Sequence, residues 1–189
     1  TAERTMLNIM QRMSGIATTT AKYQERLEGL HTKVLDTRKT TPGMRLLEKM
    51  AVKMGGGANH RIGLFDMILI KDNHVDFAGG ITNAVSRAKQ WCKDNGKDLK
   101  IEVEVRNTPE IMEALEAGVD RIMLDNYTPE RTAEAVALIR EKNPNVEIES
   151  SGGITLDTLR AYGEAGVDFI SVGALTHSVK GLDMSFKAC

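Results

Sequence analysis

Two cysteines in 189 residues, Cys92 and Cys189, are too few and too far apart for a disulfide framework. They read as free thiols of a reducing compartment, the cytoplasm. No apolar run is long enough to span a bilayer, and no secretory leader is visible. Charge of one sign is also missing. Lys plus Arg total 25 against 26 for Asp plus Glu, a net −1, so no general attraction to nucleic acid or anionic membrane is implied. An anion site would have to come from local clustering. Cys and His show no metal-ligand spacing, and no Ser or Cys stands in a nucleophile pattern with a nearby base. What is present is an ordinary globular composition, 41% hydrophobic and 27% charged, long enough for one domain with a core. The chain opens at Thr1 directly into helix-like sequence, which reads as a piece of a longer protein.

Periodicity gives the organisation. Residues 3–28 carry Met6, Ile9, Met10, Met13, Ile16 and Ala17 at helical spacing. "KVLDT" (33–37) is a strand candidate. Thr41-Pro42 reads as a helix start, with Met44, Leu47, Met50, Ala51 and Met54 as the apolar stripe and "GGG" (55–57) as the stop. "FDMILIKD" (65–72) is apolar enough for a buried parallel strand. A helix follows over about 81–94. Then come "IEVEV", a helix from Thr108-Pro109 to Gly118, "RIMLD" (121–125), a helix opened by Thr128-Pro129, "VEIES" (146–150), a helix from Thr155 to near Gly166, and "FISVG" (169–173). "EAGVDRIMLDN" and "EAGVDFISVGA" repeat the same helix stop and strand start. Such alternation gives a parallel α/β fold. The best fit is an incomplete parallel β/α barrel of about six to seven strands preceded by a helix, since the strands fall short of the ~8 of a closed barrel. Periodicity alone leaves a doubly wound sheet open. The domain reading is 1–30 as a leading helix joined to a mostly absent N-terminal domain, and 31–189 as the barrel.

"IEVEVR" (101–106) sets the functional question. Ile101, Val103 and Val105 suit packing against helices, so Glu102, Glu104 and Arg106 should point into the lumen. A carboxylate there must be paired or meet a cation. A half-exposed edge strand is the alternative. Other strand ends carry polar groups too: Arg38 and Lys39, Lys71 and Asp72, Asp125, Glu149 and Ser151. Carboxyl ends of parallel strands surround ligand sites. Arg38, Lys39, His60, Arg61 and Lys71 imply a polyanionic ligand. Glu104 and Asp125 facing that ligand imply an intervening hard cation, which suits magnesium. "SSGGIT" and "SVGALT" are glycine turns after the last two strands, suited to a phosphate. "GGGANHR" is mainly a helix stop that presents His60 and Arg61. Trp91 and most of the ten methionines are expected in the core. His31, His74 and His177 receive no role.

The blocks "DTRKTTPGMRLLEKMAVKMGGGANHRIGLFDMILIKDNHV", "IEVEVRN", "IMLDNYTPE" and "IESSGGITLDTLRAYGEAGVDFISVGALTHSVKGLDMSFK" closely resemble the quinolinate phosphoribosyltransferase family. The resemblance implies magnesium-dependent, decarboxylating transfer of phosphoribosyl from phosphoribosyl pyrophosphate to quinolinate, giving nicotinate mononucleotide for NAD synthesis. It implies a homodimer in which Arg4 of one chain reaches its neighbour's quinolinate. It assigns Arg38, Lys39, His60, Arg61 and Lys71 to the quinolinate carboxylates and nearby phosphate oxygens. Lys39, Lys71, Glu104 and Asp125 form the catalytic group. Glu104 and Asp125 lie at the ribose hydroxyls and magnesium waters, and Ser151, Gly152, Gly153 and Gly173 at the 5-phosphate. The other readings are a related phosphoribosyltransferase on another pyridine or metal-linked substrate, an aldolase or lyase with Lys71 as Schiff base, and a non-catalytic phosphoribosyl-binding protein.

Overall fold

The structure, a computed structural model, describes residues 2–187, so Cys189 lies outside the described residues. A long helix α1 (Ala2–Arg26) leads into β1 (Lys33–Leu35), α2 (Arg45–Met54), β2 (Ile68–Ile70), α3 (Asp72–Ala78) and α4 (Ile81–Asp94). Then follow β3 (Ile101–Val105), α5 (Thr108–Ala117), β4 (Arg121–Asp125), α6 (Pro129–Lys142), β5 (Glu147–Ser151), α7 (Leu159–Glu164), β6 (Phe169–Ser171) and α8 (Ala174–His177). The six strands form one all-parallel sheet in the order β1-β6-β5-β4-β3-β2. Consecutive strands from β2 to β6 are neighbours, and the last returns to pair with the first. Equivalent right-handed crossovers then put the helices on one side, and the sheet curls instead of being covered on both faces. The ring is open between β1 and β2, where the chain leaving α2 makes a single parallel bridge from Ala58 to Leu35.

Strand register sorts the two faces. Ile70, Val103, Ile122 and Ile148 belong to the apolar core beneath the helices. Burying each such side chain contributes roughly 1.5–3 kcal/mol. The alternate positions pair across the other face: Leu69 with Glu102, Glu102 with Arg121, Met123 with Glu149, and Asp125 with Ser151. Glu102 and Glu149 have no solvent exposure, so this second face is a charged interior and not a solvated edge.

Local expectations fail where charge replaces apolar packing. Thr41 does not cap α2. Residues 41–44 form a turn, Met44 N bonding Thr41 O at 3.0 Å, and the helix begins at Arg45. Met50 and Met54 are exposed, while Glu48 and Lys49 face inward with Ala51 and Val52. On α1 the buried residues are Leu7, Gly15, Ile16, Thr20 and Tyr23, while Met6 and Met10 are exposed. Among the ten methionines only Met67 and Met123 are buried, and Trp91 is half exposed. The strand expected over 65–72 shrinks to Ile68–Ile70, and α3 follows it. The helix expected from Thr155 to near Gly166 shortens to Leu159–Glu164, after a turn in which Thr155 N bonds Thr158 Oγ1.

Candidate active site

The carboxyl ends of the strands open into one cavity of about 780 Å³. Arg38 and Lys39 enter from the loop after β1, Arg61 from the segment after α2, and Lys71 from the end of β2. Asp125 comes from the end of β4. Ser151 ends β5, Gly152 and Gly153 follow it, and Gly173 follows β6. Ten of the expected site residues therefore line one mouth, with His60 in its wall.

Glu104 lies just beneath. Its register against Met123 aims it inward, and it accepts Lys71 Nζ at 2.6 Å. Asp125 stands beside this pair, and among the described residues its side chain accepts a hydrogen bond only from Asn126 Nδ2, at 2.6 Å. Partial burial and the Glu104 charge raise the Asp125 carboxyl above its usual range, with Lys71 opposing them. Residual negative charge of this kind, flanked by open cavity, suits a hydrated hard cation held through water.

The glycine turn is built by contact. Asn126, at φ 56, follows β4, and Gly152, at φ +105, follows β5. A Cβ on Gly152 would meet Asn126 Oδ1 at 2.2 Å, so only glycine lets the two strand ends close together. At Gly173 a Cβ would lie 3.1 Å from the His177 ring and 3.4 Å from Lys39 Cδ. Lys39, His177 and the last turn thus share one corner.

Below the mouth is a cluster the sequence did not disclose as a unit. His60 Nε2 lies 2.9 Å from Glu102 and 3.5 Å from Glu149. Arg121 reaches Glu149 at 3.2 Å and Glu147 at 2.8 Å, and stacks over Phe169 at 4.2 Å. Burial pushes both the Glu102 and Glu149 carboxyls upward, and for Glu149 the Glu102 charge adds to it. His60, Glu102 and Glu149 are close enough to hold a metal. The imidazole argues otherwise. Its Nδ1 accepts the Arg61 backbone N–H at 2.8 Å, so Nε2 carries the ring hydrogen and has no lone pair to give a cation. Burial that raises both carboxyls favours a protonated form, which relieves the charge without a cation.

Some expectations change. Neither ring nitrogen of His60 opens onto the cavity, because one bonds Arg61 and the other is buried. Arg106 does not enter the lumen. The strand ends at Val105, and Arg106 turns out to pair with Glu110 and Asp76 as α5 begins. Arg4 is exposed on α1 and does not line the mouth of its own chain. His74 accepts the Lys71 backbone N–H at 3.0 Å, and His31 sits by Asp168, away from the cavity. Sequence reading missed Asn126 and His177. Asn126 left a trace as a turn residue straight after a strand, whereas His177 showed nothing beyond its place in "GALTH".

The family described as quinolinate phosphoribosyl transferase, C-terminal domain, matches residues 16–187. The chain belongs to this family. It is 47% identical to the chloroplastic nicotinate-nucleotide pyrophosphorylase [carboxylating] of Arabidopsis thaliana, over 98% of this chain and 56% of that one. It is 48% identical to the probable nicotinate-nucleotide pyrophosphorylase [carboxylating] of Bacillus subtilis, over 97% of this chain and 61% of that one. The crystal structure of NadC from Streptococcus pyogenes superposes with a TM-score of 0.91 at 44% identity, covering 100% of this chain and 64% of that one. The chain therefore spans a little over half of the length of these curated relatives.

Proposed function

We propose that the chain is the catalytic barrel of a decarboxylating quinolinate phosphoribosyltransferase, acting on quinolinate and phosphoribosyl pyrophosphate to give nicotinate mononucleotide for NAD synthesis. One observation carries the reading. In a chain of this family, a single mouth gathers Arg38, Lys39, Arg61 and Lys71 against Asp125 and the Gly152–Gly153 turn, with Glu104 under Lys71. Planar guanidiniums of Arg38 and Arg61 suit the two adjacent carboxylates of quinolinate. His60 shapes the wall between them. The turns at Ser151–Gly153 and Gly173 take the 5-phosphate, with Lys39 at their edge.

Departure of pyrophosphate from the anomeric carbon leaves an oxocarbenium-like ribose. Glu104 and Asp125 stabilise that positive charge electrostatically. The same two carboxylates would hold magnesium through water, and when bound it neutralises charge on the leaving pyrophosphate. The basic rim orients quinolinate so that its ring nitrogen attacks the same carbon. The nitrogen becomes quaternary and draws the electron pair left when the 2-carboxylate departs as carbon dioxide. A proton then returns to that ring carbon. Lys71, an ammonium paired with Glu104 and open to the cavity, is placed to deliver it.

The Schiff-base reading fares worse. A lysine that forms one attacks as a free amine, whereas Lys71 is engaged by Glu104 at 2.6 Å. Homodimerisation with Arg4 acting in trans belongs to this proposal, and the exposure of Arg4 on α1 leaves it available. So does a cytoplasmic location. No helix among the described residues is long and apolar enough to cross a membrane. The deciding experiment measures pyrophosphate and carbon dioxide release from phosphoribosyl pyrophosphate with quinolinate or nicotinate, for this chain and for its full-length parent. Quinolinate-specific release of both products in equal amounts is expected. Equal turnover of nicotinate, or substrate binding without pyrophosphate release, overturns the proposal.

A further inference from the structure

The inward charges of α2 have no part in the chemistry above, yet they are among the most buried in the chain. Glu48 is fully buried and Lys49 is 3% exposed. Adjacent helical residues project about 100° apart, so two neighbours on one turn can reach different segments. Glu48 Oε2 accepts the Thr41 backbone N–H at 3.1 Å. Its Oε1 takes Arg12 of α1 through Nε at 3.0 Å and Nη2 at 2.8 Å. Arg12 continues to the carbonyls of Val179, at 3.0 Å, and Thr176. Thr176 Oγ1 in turn donates to Lys39 O at 2.9 Å. This network encloses the Arg38–Thr41 segment and the turn at Gly173.

Lys49 serves the other arm. Its ammonium bonds Asp36 and the His60 carbonyl, the latter at 2.9 Å. Asp36 also accepts the His60 backbone N–H at 2.9 Å and Asn59 Nδ2 at 2.5 Å, and Asn59 returns to Lys49 O at 2.8 Å. The Asn59–Arg61 segment lacks a full strand ladder, having only the bridge at Ala58. These side chains replace that ladder.

We propose that Glu48 and Lys49 are positioning residues for the transfer, one fixing the Arg38–Thr41 loop and the other the Asn59–Arg61 segment. A single turn of α2 thereby sets the spacing between the two cationic arms that grip the anionic substrates. The proposal rests on the phosphoribosyl-transfer reading of the same mouth. Neither residue touches substrate, and each acts through backbone it holds. A carboxylate and an ammonium that merely stabilised the fold would need no connection to these loops. Here the bonds converge on Thr41, Lys39 and His60, each within two residues of a rim cation.

Two variants test it in the full-length enzyme. Glu48→Gln keeps an oxygen for Thr41 N–H but breaks the charged link to Arg12. The double variant Asp36→Asn with Lys49→Gln neutralises both partners together, so that no lone charge stays buried. Steady-state kinetics with quinolinate and phosphoribosyl pyrophosphate should show KM for at least one substrate raised about ten-fold, with kcat at saturation within about three-fold of the parent. Calorimetry with quinolinate and with inorganic pyrophosphate should show the same weakening. A lower melting temperature with unchanged KM and unchanged anion affinity would mean a structural role only, and the proposal fails. An unaltered enzyme that releases no pyrophosphate overturns the transfer reading instead. The calorimetric comparison still decides the brace in that case, because it needs no turnover.

Discussion

Replacing Gly152 by alanine tests how the phosphate turn is built. The residue sits at φ +105, where an L side chain costs about 1–3 kcal/mol. The new methyl would also lie 2.2 Å from Asn126 Oδ1 and 2.9 Å from the Asn126 backbone nitrogen. A side-chain amide can rotate away, but the backbone nitrogen cannot, so overpacking adds about 1–3 kcal/mol. The total is roughly 2–6 kcal/mol, or about 5–20 °C in melting temperature for a chain of this size. Gly153, one residue on, is the control. Its φ is +60 and nothing lies within 4 Å of an added Cβ, so Gly153→Ala should cost only about 1–2 kcal/mol. Urea and thermal unfolding of both variants give the comparison. Combining Gly152→Ala with Asn126→Gly removes the Oδ1 contact but leaves the backbone nitrogen of residue 126 where it is, so the double variant should keep most of the Gly152→Ala loss. Equal losses at the two glycines would refute the close approach of the two strand ends. KM for phosphoribosyl pyrophosphate should rise in Gly152→Ala well beyond its change in Gly153→Ala.

Three further outcomes are expected. Glu104→Gln should lower kcat by roughly 10²–10³-fold with little change in the affinity for quinolinate, and equal losses in both would argue against stabilisation of the transition state. Asp125→Asn should raise the magnesium concentration needed for half-maximal rate by about ten-fold, and a magnesium titration that superposes on the parent's would remove Asp125 from that role. The third concerns pH and stability. Burial lifts Glu149 from 4.5 to about 8 and Glu102 from 4.5 to about 7. The folded chain therefore keeps a proton that the unfolded chain gives up, and stability falls as pH rises from about 4.5 towards 8. Glu149→Gln carries its hydrogen at every pH, so denaturation at pH 5 and pH 8 should show a clearly flatter decline than in the parent, and an undiminished slope would show that Glu149 is ionised in the fold.

The strand–helix order, most helix boundaries and the inward placement of Glu102 and Glu104 were readable because each rests on local rules. Alternation with period two told the faces of β3 apart, and Thr128-Pro129 marked the start of α6 through a cap that bonds Arg131 N. The rim was legible for the same reason, since Asp125 and Ser151 end strands and Arg38 and Lys71 follow them. Helix α2 was misread because periodicity counts apolar residues. Its buried face is charged, and those charges are compensated by Arg12, Asp36 and Thr41, which lie elsewhere in the chain. Arg106 was misread because strand alternation was carried one residue past the point where Glu110 captures its backbone N–H for the next helix.

Sequence by itself determined which groups stand at the strand ends, because strand termini and side-chain parity are set within a few residues. Only the tertiary structure decided who meets whom. The curling of the sheet brings His60 between Glu102 and Glu149, although 42 and 89 residues separate it from them, and brings both His177 and Lys39 to Gly173. Those meetings depend on register across strands and on the curling of the open sheet. Their energies come from burial of charge that no local window of residues can record.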